Sequence, residues 1–332
     1  MVGPLTPASA VTSWTVDFPV LVAVLAAAGL YLAGMRRVRR TGQPWPPGRA
    51  VAFLAGGTGV MVLATMSFLG VYQHVLFWSR AVQTVLLLLA APLFLALGRP
   101  LSLFMAALPG PGRRVGAVVH SRAARILTFP AITALVLLIV PFLLYFTPWY
   151  EAGLRNATVR ELTYAALLAP GLVFFWTLLR VDPVPKSYPY LVALWVTGAE
   201  VVGDAILGLA VIADQHLIAG SYYQALGRPW GPSLRADQVI GGGALWILGD
   251  LVGLPFLAAQ LIQMIREDEE EAALVDAELD ARAPAPAAPG APAADVAPAG
   301  TSDSHPWWES DPQFTGRFRS VGPGERPPGT AG

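Results

Sequence analysis

The hydrophobic positions along the chain form seven long apolar runs that are separated by short polar connections. A helix needs about 20 mostly apolar residues to cross a bilayer, and each run is long enough to do so. We therefore predict an all-α polytopic membrane protein with seven transmembrane helices. The runs cover residues 16–35, 50–72, 81–107, 126–147, 161–180, 188–213 and 239–264.

The third run contains Pro92 and Pro100. Because proline lacks an N–H and clashes with the preceding turn, it kinks or ends a helix. We expect either a kinked span or a span that ends near Arg99 and continues as an interfacial segment.

Basic residues concentrate in alternate connections, which predicts the orientation of the chain. Twelve lie on one side of the membrane and five on the other. The positive-inside rule then places the N-terminus outside and the C-terminus in the cytoplasm. The first group is Arg36, Arg37, Arg39, Arg40, Arg49, Arg113, Arg114, Arg122, Arg125, Arg180, Lys186 and Arg266, and the second is Arg80, Arg155, Arg160, Arg228 and Arg235.

Composition supports the membrane assignment and narrows the function. The 332 residues are 55% hydrophobic and 13% charged, whereas soluble domains carry about 25% charged residues. The chain has no cysteine, which excludes disulfides, thiolate metal sites and cysteine nucleophiles. No phosphate loop, dinucleotide fingerprint, nucleic-acid motif or catalytic set is present, so we expect neither an enzyme nor a nucleic-acid-binding protein.

Polarity divides the chain into four predicted regions. Residues 1–15 form a short outer segment without the basic start of a cleavable signal peptide, so the first apolar run is expected to stay as a span. Residues 16–265 form the transmembrane domain, and residues 266–282 form an acidic, helix-prone cytoplasmic extension. Residues 283–332, rich in proline and alanine, are expected to be a disordered cytoplasmic tail. The tail either has no partner or carries a short docking motif.

Three carboxyl side chains interrupt the apolar runs, and ionisable groups within a span are candidates for function. Glu200 and Asp204 are four residues apart and share a helical face. At about 1.5 Å per residue, Glu200 and Asp250 lie at similar depths, so the three could form an intramembrane polar cluster. Glycines around them would let two helices approach closely. The cluster either hydrogen-bonds across the helix pair, holds a cation or proton, or contacts a partner subunit.

The start of the third run carries Arg80, Gln83 and Thr84, which would share one face of a helix. His74 lies just before this run and His216 in a later outer connection. A lone histidine is more often a hydrogen-bonded surface group than a metal ligand. These two histidines are weak metal-ligand candidates that only the fold could bring together.

Taken in order, the segments between residues 15 and 270 resemble the CtaG family of cytochrome c oxidase assembly proteins. The most specific element is Asp237 and Gln238 followed by the glycines and Trp246. The quoted segments are "YQHVLFWSRAVQTVLLLLAAPLFLALGRPLSL", "LTFPAITALVL", "VRELTYAALLAPGLVFFWTLL" and "ADQVIGGGALWILGD".

The resemblance implies a role in making active haem–copper oxidase, with copper handled at the outer face. It also implies a His-x-x-x-His pair at the start of the third span, where this chain has Arg80 and Thr84. A second such pair is implied at the start of the fifth span, where this chain has Arg160 and Tyr164. Imidazoles bind copper or zinc, whereas arginine offers only donors. We therefore expect no tightly bound cofactor, although the resemblance implies copper.

The resulting hypothesis is a membrane factor that assists assembly or stability of the oxidase in the bacterial cytoplasmic membrane, with lipid, oxidase subunits or other assembly factors as partners. Arg80 and Arg160 would line the outer cleft and need carboxylate or carbonyl partners, with Glu161 and Asp237 as the nearest candidates on the outer side. One alternative is a copper-handling chaperone with replacement ligands. The other is a small-ion or metabolite transporter built on the carboxyl cluster. The replacement ligands would be His74, His216, Met66 or Glu200.

Overall fold

The computed structural model describes residues 2–184 and 188–282, and all of its regular elements in these ranges are helices. Pro47–Tyr72 and Phe77–Ala107 each count as one helix here, although both contain local irregularities. The helices are α1 (Pro7–Thr12), α2 (Phe18–Arg40), α3 (Pro47–Tyr72), α4 (Phe77–Ala107), α5 (Pro109–Val119), α6 (Arg122–Leu127), α7 (Pro130–Phe146), α8 (Trp149–Arg155), α9 (Ala157–Leu179), α10 (Tyr190–Ala213), α11 (Gly220–Ala225) and α12 (Leu234–Arg282).

Six of these helices are long and apolar enough to cross a membrane, namely α2, α3, α4, α9, α10 and α12. A seventh candidate is the pair α7 and α8, which bends by 68° between them. The predicted all-α polytopic membrane fold is confirmed, with six to seven candidate spans. The orientation of the termini stays a prediction.

The first span begins and ends as its sequence dictates. Asp17 is its N-cap, and its carboxylate accepts a hydrogen bond from the Val20 N–H at 3.4 Å. Pro19 lies in the first turn, where its missing N–H costs nothing. Arginines fill the last turn of α2, where positive charge interacts favourably with the helix dipole.

Helix α4 is interrupted where the sequence predicted a break. Regular α-helix ends at Leu97 and resumes at Pro100, with Arg99 in the left-handed region at φ 52°. The carboxylate of Asp182 accepts hydrogen bonds from the Leu101 and Ser102 N–H groups, at 3.2 and 2.9 Å. A carboxylate from another connection therefore caps the new helix start. That this segment lies at the membrane interface stays a prediction.

Helix α4 is also the central element of the bundle. Its most apolar stretch is 72% buried, against 22% for α2 and 28% for α12. Two π-helical segments, Ala52–Thr58 in α3 and Leu86–Ala90 in α4, widen the backbone there. Such turns frequently occur at functional sites.

The last helix continues through the acidic segment to Arg282. The compact unit of the chain ends at Ala272, and a separate unit begins at Ala273. The predicted tail, 283–332, lies outside the described residues. The division of the chain at residues 15, 265 and 282 stays a prediction.

Candidate functional site

Arg80, Gln83 and Thr84, at the start of α4, are all buried, and each is 2% exposed. The sequence placed them at the mouth of a span, but the fold encloses them between helices. A buried arginine needs hydrogen-bond partners or a counter-charge to offset the loss of water.

The guanidinium of Arg80 has a neutral partner. Its Nη1 donates to Oε1 of Gln73 at 3.0 Å, and its Cζ lies 5.5 Å from the centre of the Tyr150 ring. Its Nε is buried without a hydrogen-bond partner. Among the described residues, no carboxylate forms an ion pair with Arg80. Arg80 thus has a carbonyl partner, the amide oxygen of Gln73. Neither named carboxylate pairs with it, because Glu161 pairs with Arg160 and Asp237 pairs with Arg228.

Hydrogen bonds join Arg80 to side chains of several helices. The hydroxyl of Tyr164 donates to the same Gln73 oxygen at 2.9 Å, and Gln83 Nε2 donates to the Ala64 carbonyl at 2.8 Å and to the Tyr164 hydroxyl at 3.3 Å. The Thr84 hydroxyl lies 3.0 Å from both the Arg80 carbonyl and the Tyr145 hydroxyl. We call this set the Arg80 network. Its members are Gln73, Arg80, Gln83, Thr84, Tyr145 and Tyr164.

Beside the network lies a cleft of about 790 Å³, which we call the outer cleft. Arg160 lines it and forms ion pairs with Glu161 at 3.1 Å and Asp17 at 3.7 Å. Arg80 is not among the lining residues, but its partner Gln73 is. The expected pairing of an arginine with Glu161 therefore exists, with Arg160 as the arginine. Arg80 lies behind Gln73 and does not line the cleft as expected.

His74 also lines the outer cleft, with its Nε2 3.5 Å from Arg160 Nη1. Burial, together with the positive charges of Arg160 and Arg80, lowers the pKa of His74 to about 4. Its imidazole is therefore neutral at neutral pH. The side chain of His216 is 98% exposed and lies 3.3 Å from Asp214, in a different cavity of about 330 Å³. The fold does not bring the two histidines together.

Asp237, at the start of α12, caps a different helix. Its two carboxylate oxygens accept hydrogen bonds from the Phe77 and Trp78 N–H groups, at 3.2 and 3.0 Å. It also pairs with the buried Arg228 at 3.3 Å. Asp237 thus joins the last span to the first turn of α4 and to the connection before α12.

Gln238 and Trp246, the other two motif residues of α12, differ in burial: Gln238 is buried and Trp246 is partly exposed. The Gln238 amide accepts from the Ile218 N–H at 2.9 Å and donates to the carbonyls of Val211 and His216. It therefore fixes the connection between α10 and α12. Trp246 is 36% exposed and packs against Gly208 with its Cβ.

The three carboxyl groups predicted within the spans do lie near one another, where α10 packs against α12. Glu200 and Asp204 are 2% and 6% exposed, and their carboxyl groups interact across one turn of α10. Asp250 interacts electrostatically with both. Each of the three has one buried oxygen without a hydrogen-bond partner. We call Glu200, Asp204 and Asp250 the carboxyl cluster.

Glycines make the close approach of α10 and α12 possible. A Cβ at Gly249 would overlap the Asp204 carboxyl group, and one at Gly208 would lie 2.6 Å from the Gly242 carbonyl oxygen. Across residues 2–184 and 188–282, no group of three or more His, Asp or Glu side chains is placed to hold a metal ion.

Comparisons with known proteins give the family. The chain is 31% identical over 286 residues to "Uncharacterized protein Mb0105" of Mycobacterium bovis, covering 83% of this chain and 43% of that protein. It is 29% identical over 277 residues to "Uncharacterized protein ML1998" of Mycobacterium leprae, covering 81% of this chain and 42% of the relative. The chain thus spans about two fifths of the length of these curated relatives. No solved structure matches the chain.

The family model of the cytochrome c oxidase caa3 assembly factor matches residues 29–267, which include the Arg80 network and the carboxyl cluster. Because this match covers most of the chain, the chain belongs to the family of cytochrome c oxidase caa3 assembly factors.

Proposed function

We propose that this protein assists the assembly or stability of a haem–copper cytochrome c oxidase without a tight copper site of its own. Membership of the assembly-factor family supports the first part. The chemistry of the Arg80 network supports the second.

The network supports this proposal because its side chains are committed to one another. Arginine remains protonated and offers only donors, so the Arg80 guanidinium cannot ligate copper. The Thr84 and Tyr164 hydroxyls already hydrogen-bond to Tyr145 and Gln73. The positions that would carry two histidine pairs in the resembling family therefore hold two cations and two occupied hydroxyls. The donor set does not fit copper.

The outer cleft adds to the argument. His74 offers a neutral imidazole, but its Nε2 faces the cation of Arg160. A copper ion at this nitrogen would be repelled by the guanidinium. Two of the other replacement candidates lie apart from it, since His216 is in a different cavity and Glu200 belongs to the carboxyl cluster. Met66 is buried beside the cleft but does not line it.

We further propose that the protein lies in the bacterial cytoplasmic membrane with its N-terminus outside. The asymmetry of basic residues supports this orientation. Reporter fusions after residues 42, 118 and 184 should all report the cytoplasm, and a periplasmic signal at any of these positions would contradict the proposed topology.

Copper content tests the proposal directly. The purified parent, loaded with Cu(I) and desalted, should retain no stoichiometric copper. A variant with histidine at positions 80, 84, 160 and 164 should retain about one copper per chain, because imidazoles at i and i+4 can share an ion. Stoichiometric copper in the parent would contradict the absence of a tight site. The substitutions are Arg80→His, Thr84→His, Arg160→His and Tyr164→His.

The double variant Arg80→His/Thr84→His is the matched control, since it carries one pair alone. Weaker retention in the double than in the quadruple variant would show that the two pairs face a common site. A folded but empty quadruple variant would show that they do not.

A second measurement tests the assembly role separately. In a strain that lacks this gene, haem–copper oxidase activity should fall and return when the parent is expressed. Unchanged oxidase in the deletion strain would contradict the assembly role, whatever the copper content.

A further inference from the structure

A groove of about 750 Å³ opens between α2, α3 and the second segment of α4. None of the residues of the Arg80 network, the outer cleft or the carboxyl cluster lines it. Its walls are mostly hydrocarbon, from side chains such as Leu30, Ala33, Phe53, Leu103 and Phe104. Leu30 is 75% exposed, so the groove is open to the surroundings of the helix bundle.

Three arginines line one end of this groove, namely Arg36, Arg37 and Arg40. Positions i, i+1 and i+4 lie on one side of a helix, which is why these three turn towards the groove. Arg39 belongs to the same turn but does not line it. Within the described part of the chain, none of the three forms an ion pair. The groove therefore combines an apolar wall with an uncompensated positive end.

The remaining polar group in the wall is already occupied. The Tyr31 hydroxyl donates to the Gly98 carbonyl at 2.7 Å and accepts from Trp45 Nε1 at 3.1 Å. The apolar part of the groove thus offers no free hydroxyl to a ligand. A bound molecule would place its polar group at the arginines and its hydrocarbon along the wall.

The length of α2 fits a ligand that lies along the membrane normal. Its 23 residues extend about 34 Å at 1.5 Å per residue, close to the hydrocarbon thickness of about 30 Å. If α2 spans the bilayer, the arginines lie at the level of the headgroups and Leu30 lies within the hydrocarbon.

We propose that this groove binds one anionic phospholipid of the surrounding bilayer. The three arginines hold the headgroup phosphate through charge-assisted hydrogen bonds, and an acyl chain lies along the apolar wall. Basic pockets between membrane helices recognise anionic headgroups in this way. Interaction with the helix dipole alone would not distinguish the groove arginines from Arg39, because all four lie in the last turns of α2.

Native mass spectrometry of the purified full chain in detergent tests the proposal, with phosphatidylglycerol as the anionic probe and phosphatidylcholine as the zwitterionic one. The parent should bind one phosphatidylglycerol in clear preference to phosphatidylcholine. The triple variant Arg36→Gln/Arg37→Gln/Arg40→Gln should lose this preference and bind phosphatidylglycerol about tenfold or more weakly. Arg39→Gln, which removes one arginine of the same turn, should bind like the parent.

A second variant tests the hydrocarbon wall with all the arginines intact. Ala33 is exposed and lines the groove, so Ala33→Trp should fill it and weaken phosphatidylglycerol binding without disturbing the packed interior. Equal binding of both lipids by the parent would overturn the proposal, as would a triple variant that binds like Arg39→Gln. Inorganic phosphate that displaces the lipid completely at equal concentration would overturn the role of the acyl chain.

Discussion

The Arg80 network and the carboxyl cluster both bury ionisable groups between helices, but they stabilise them by different means. Arg80 has the Gln73 amide oxygen of the α3–α4 connection as its acceptor and lies beside the Tyr150 ring of α8. The carboxyl cluster has few such partners and depends on glycines that let two backbones approach. In the Arg80 network, long polar side chains occupy the space between the helices. In the carboxyl cluster, glycines let α10 and α12 pack so closely that little space is left between them.

This difference teaches where each region should be sensitive to substitution. The Arg80 network should lose stability when its one shared acceptor, the Gln73 side-chain oxygen, is removed. The α10–α12 interface should lose stability when an atom is added between the two backbones. It should keep or gain stability when a carboxyl group is replaced by an amide of the same shape.

Gln73→Leu should have the largest effect, because one oxygen serves both Arg80 and Tyr164. The substitution leaves a buried cation and a buried hydroxyl without an acceptor, which should lower the free energy of unfolding by about 3 kcal/mol. Thermal unfolding in detergent measures it.

The double variant Gln73→Leu/Arg80→Met is the control for this prediction. It removes the cation together with its acceptor and should recover most of the lost stability. A double variant as unstable as Gln73→Leu would mean that Gln73 acts mainly through packing.

Gly208→Ala should have the next largest effect, because the added Cβ meets backbone and not the end of a flexible side chain. It would lie 2.6 Å from the Gly242 carbonyl oxygen and 2.7 Å from the Trp246 Cβ. We expect a loss of about 2 kcal/mol as the helices move apart. Gly198→Ala on the same helix meets nothing within 4 Å and should leave the melting temperature unchanged or slightly higher. Equal effects of the two changes would exclude close backbone packing as the cause.

Glu200→Gln should raise stability by about 1 kcal/mol. The amide keeps the shape of the side chain and supplies donors to the carboxyl group of Asp204, which has an unpartnered oxygen. The matched change Glu161→Gln removes an ion pair with Arg160 and should lower stability slightly, because Arg160 keeps Asp17 as a second partner and solvent-accessible pairs contribute little. The melting temperatures of the two variants should move in opposite directions, and a loss in both would count against unmet hydrogen bonding in the cluster.

The last prediction concerns pH. Because the pKa of His74 is about 4 in the folded protein, and about 6.5 in an unfolded chain, the unfolded chain takes up the proton first as the pH falls. The contribution of neutral His74 to stability is therefore full above pH 6.5 and is lost between about pH 6.5 and 4.

His74→Gln should flatten the melting temperature across this range. His216→Gln is the control, since that side chain is 98% exposed, and it should keep the profile of the parent. A parent profile that is already flat between pH 6.5 and 4 would contradict the burial of neutral His74.

The spans and the break near Arg99 could be predicted because hydropathy and proline act locally in the sequence. The bend between α7 and α8 was missed although its signal is also local, since Pro148 stands directly before α8. The partners of Arg80 were missed for a different reason. Gln73 lies only seven residues before Arg80, but the sequence of a polar connection does not indicate which of its side chains will be buried. Asp182 was not singled out at all, although it caps the second segment of α4.

Asp237 shows the same limit most clearly. Its residue type and motif marked it as important, and charge alone suggested that it would pair with an arginine of the outer cleft. The fold instead places it at the first turn of α4, where it accepts hydrogen bonds from two N–H groups. Its arginine partner is Arg228, which does not line the outer cleft.

The Asp237 cap also has a consequence for biosynthesis. The Trp78 N–H donates to the carboxylate of Asp237, which is synthesised 159 residues later. At a synthesis rate of about 5–20 residues per second, that delay is roughly 10–30 s. During this interval α4 has left the ribosome with its first turn uncapped. The Ser102 N–H is capped sooner, because Asp182 follows it by only 80 residues. The central helix therefore completes its hydrogen bonding only after the first turn of α12 has been made, and a ribosome that stalls before α12 would leave the first turn of α4 uncapped.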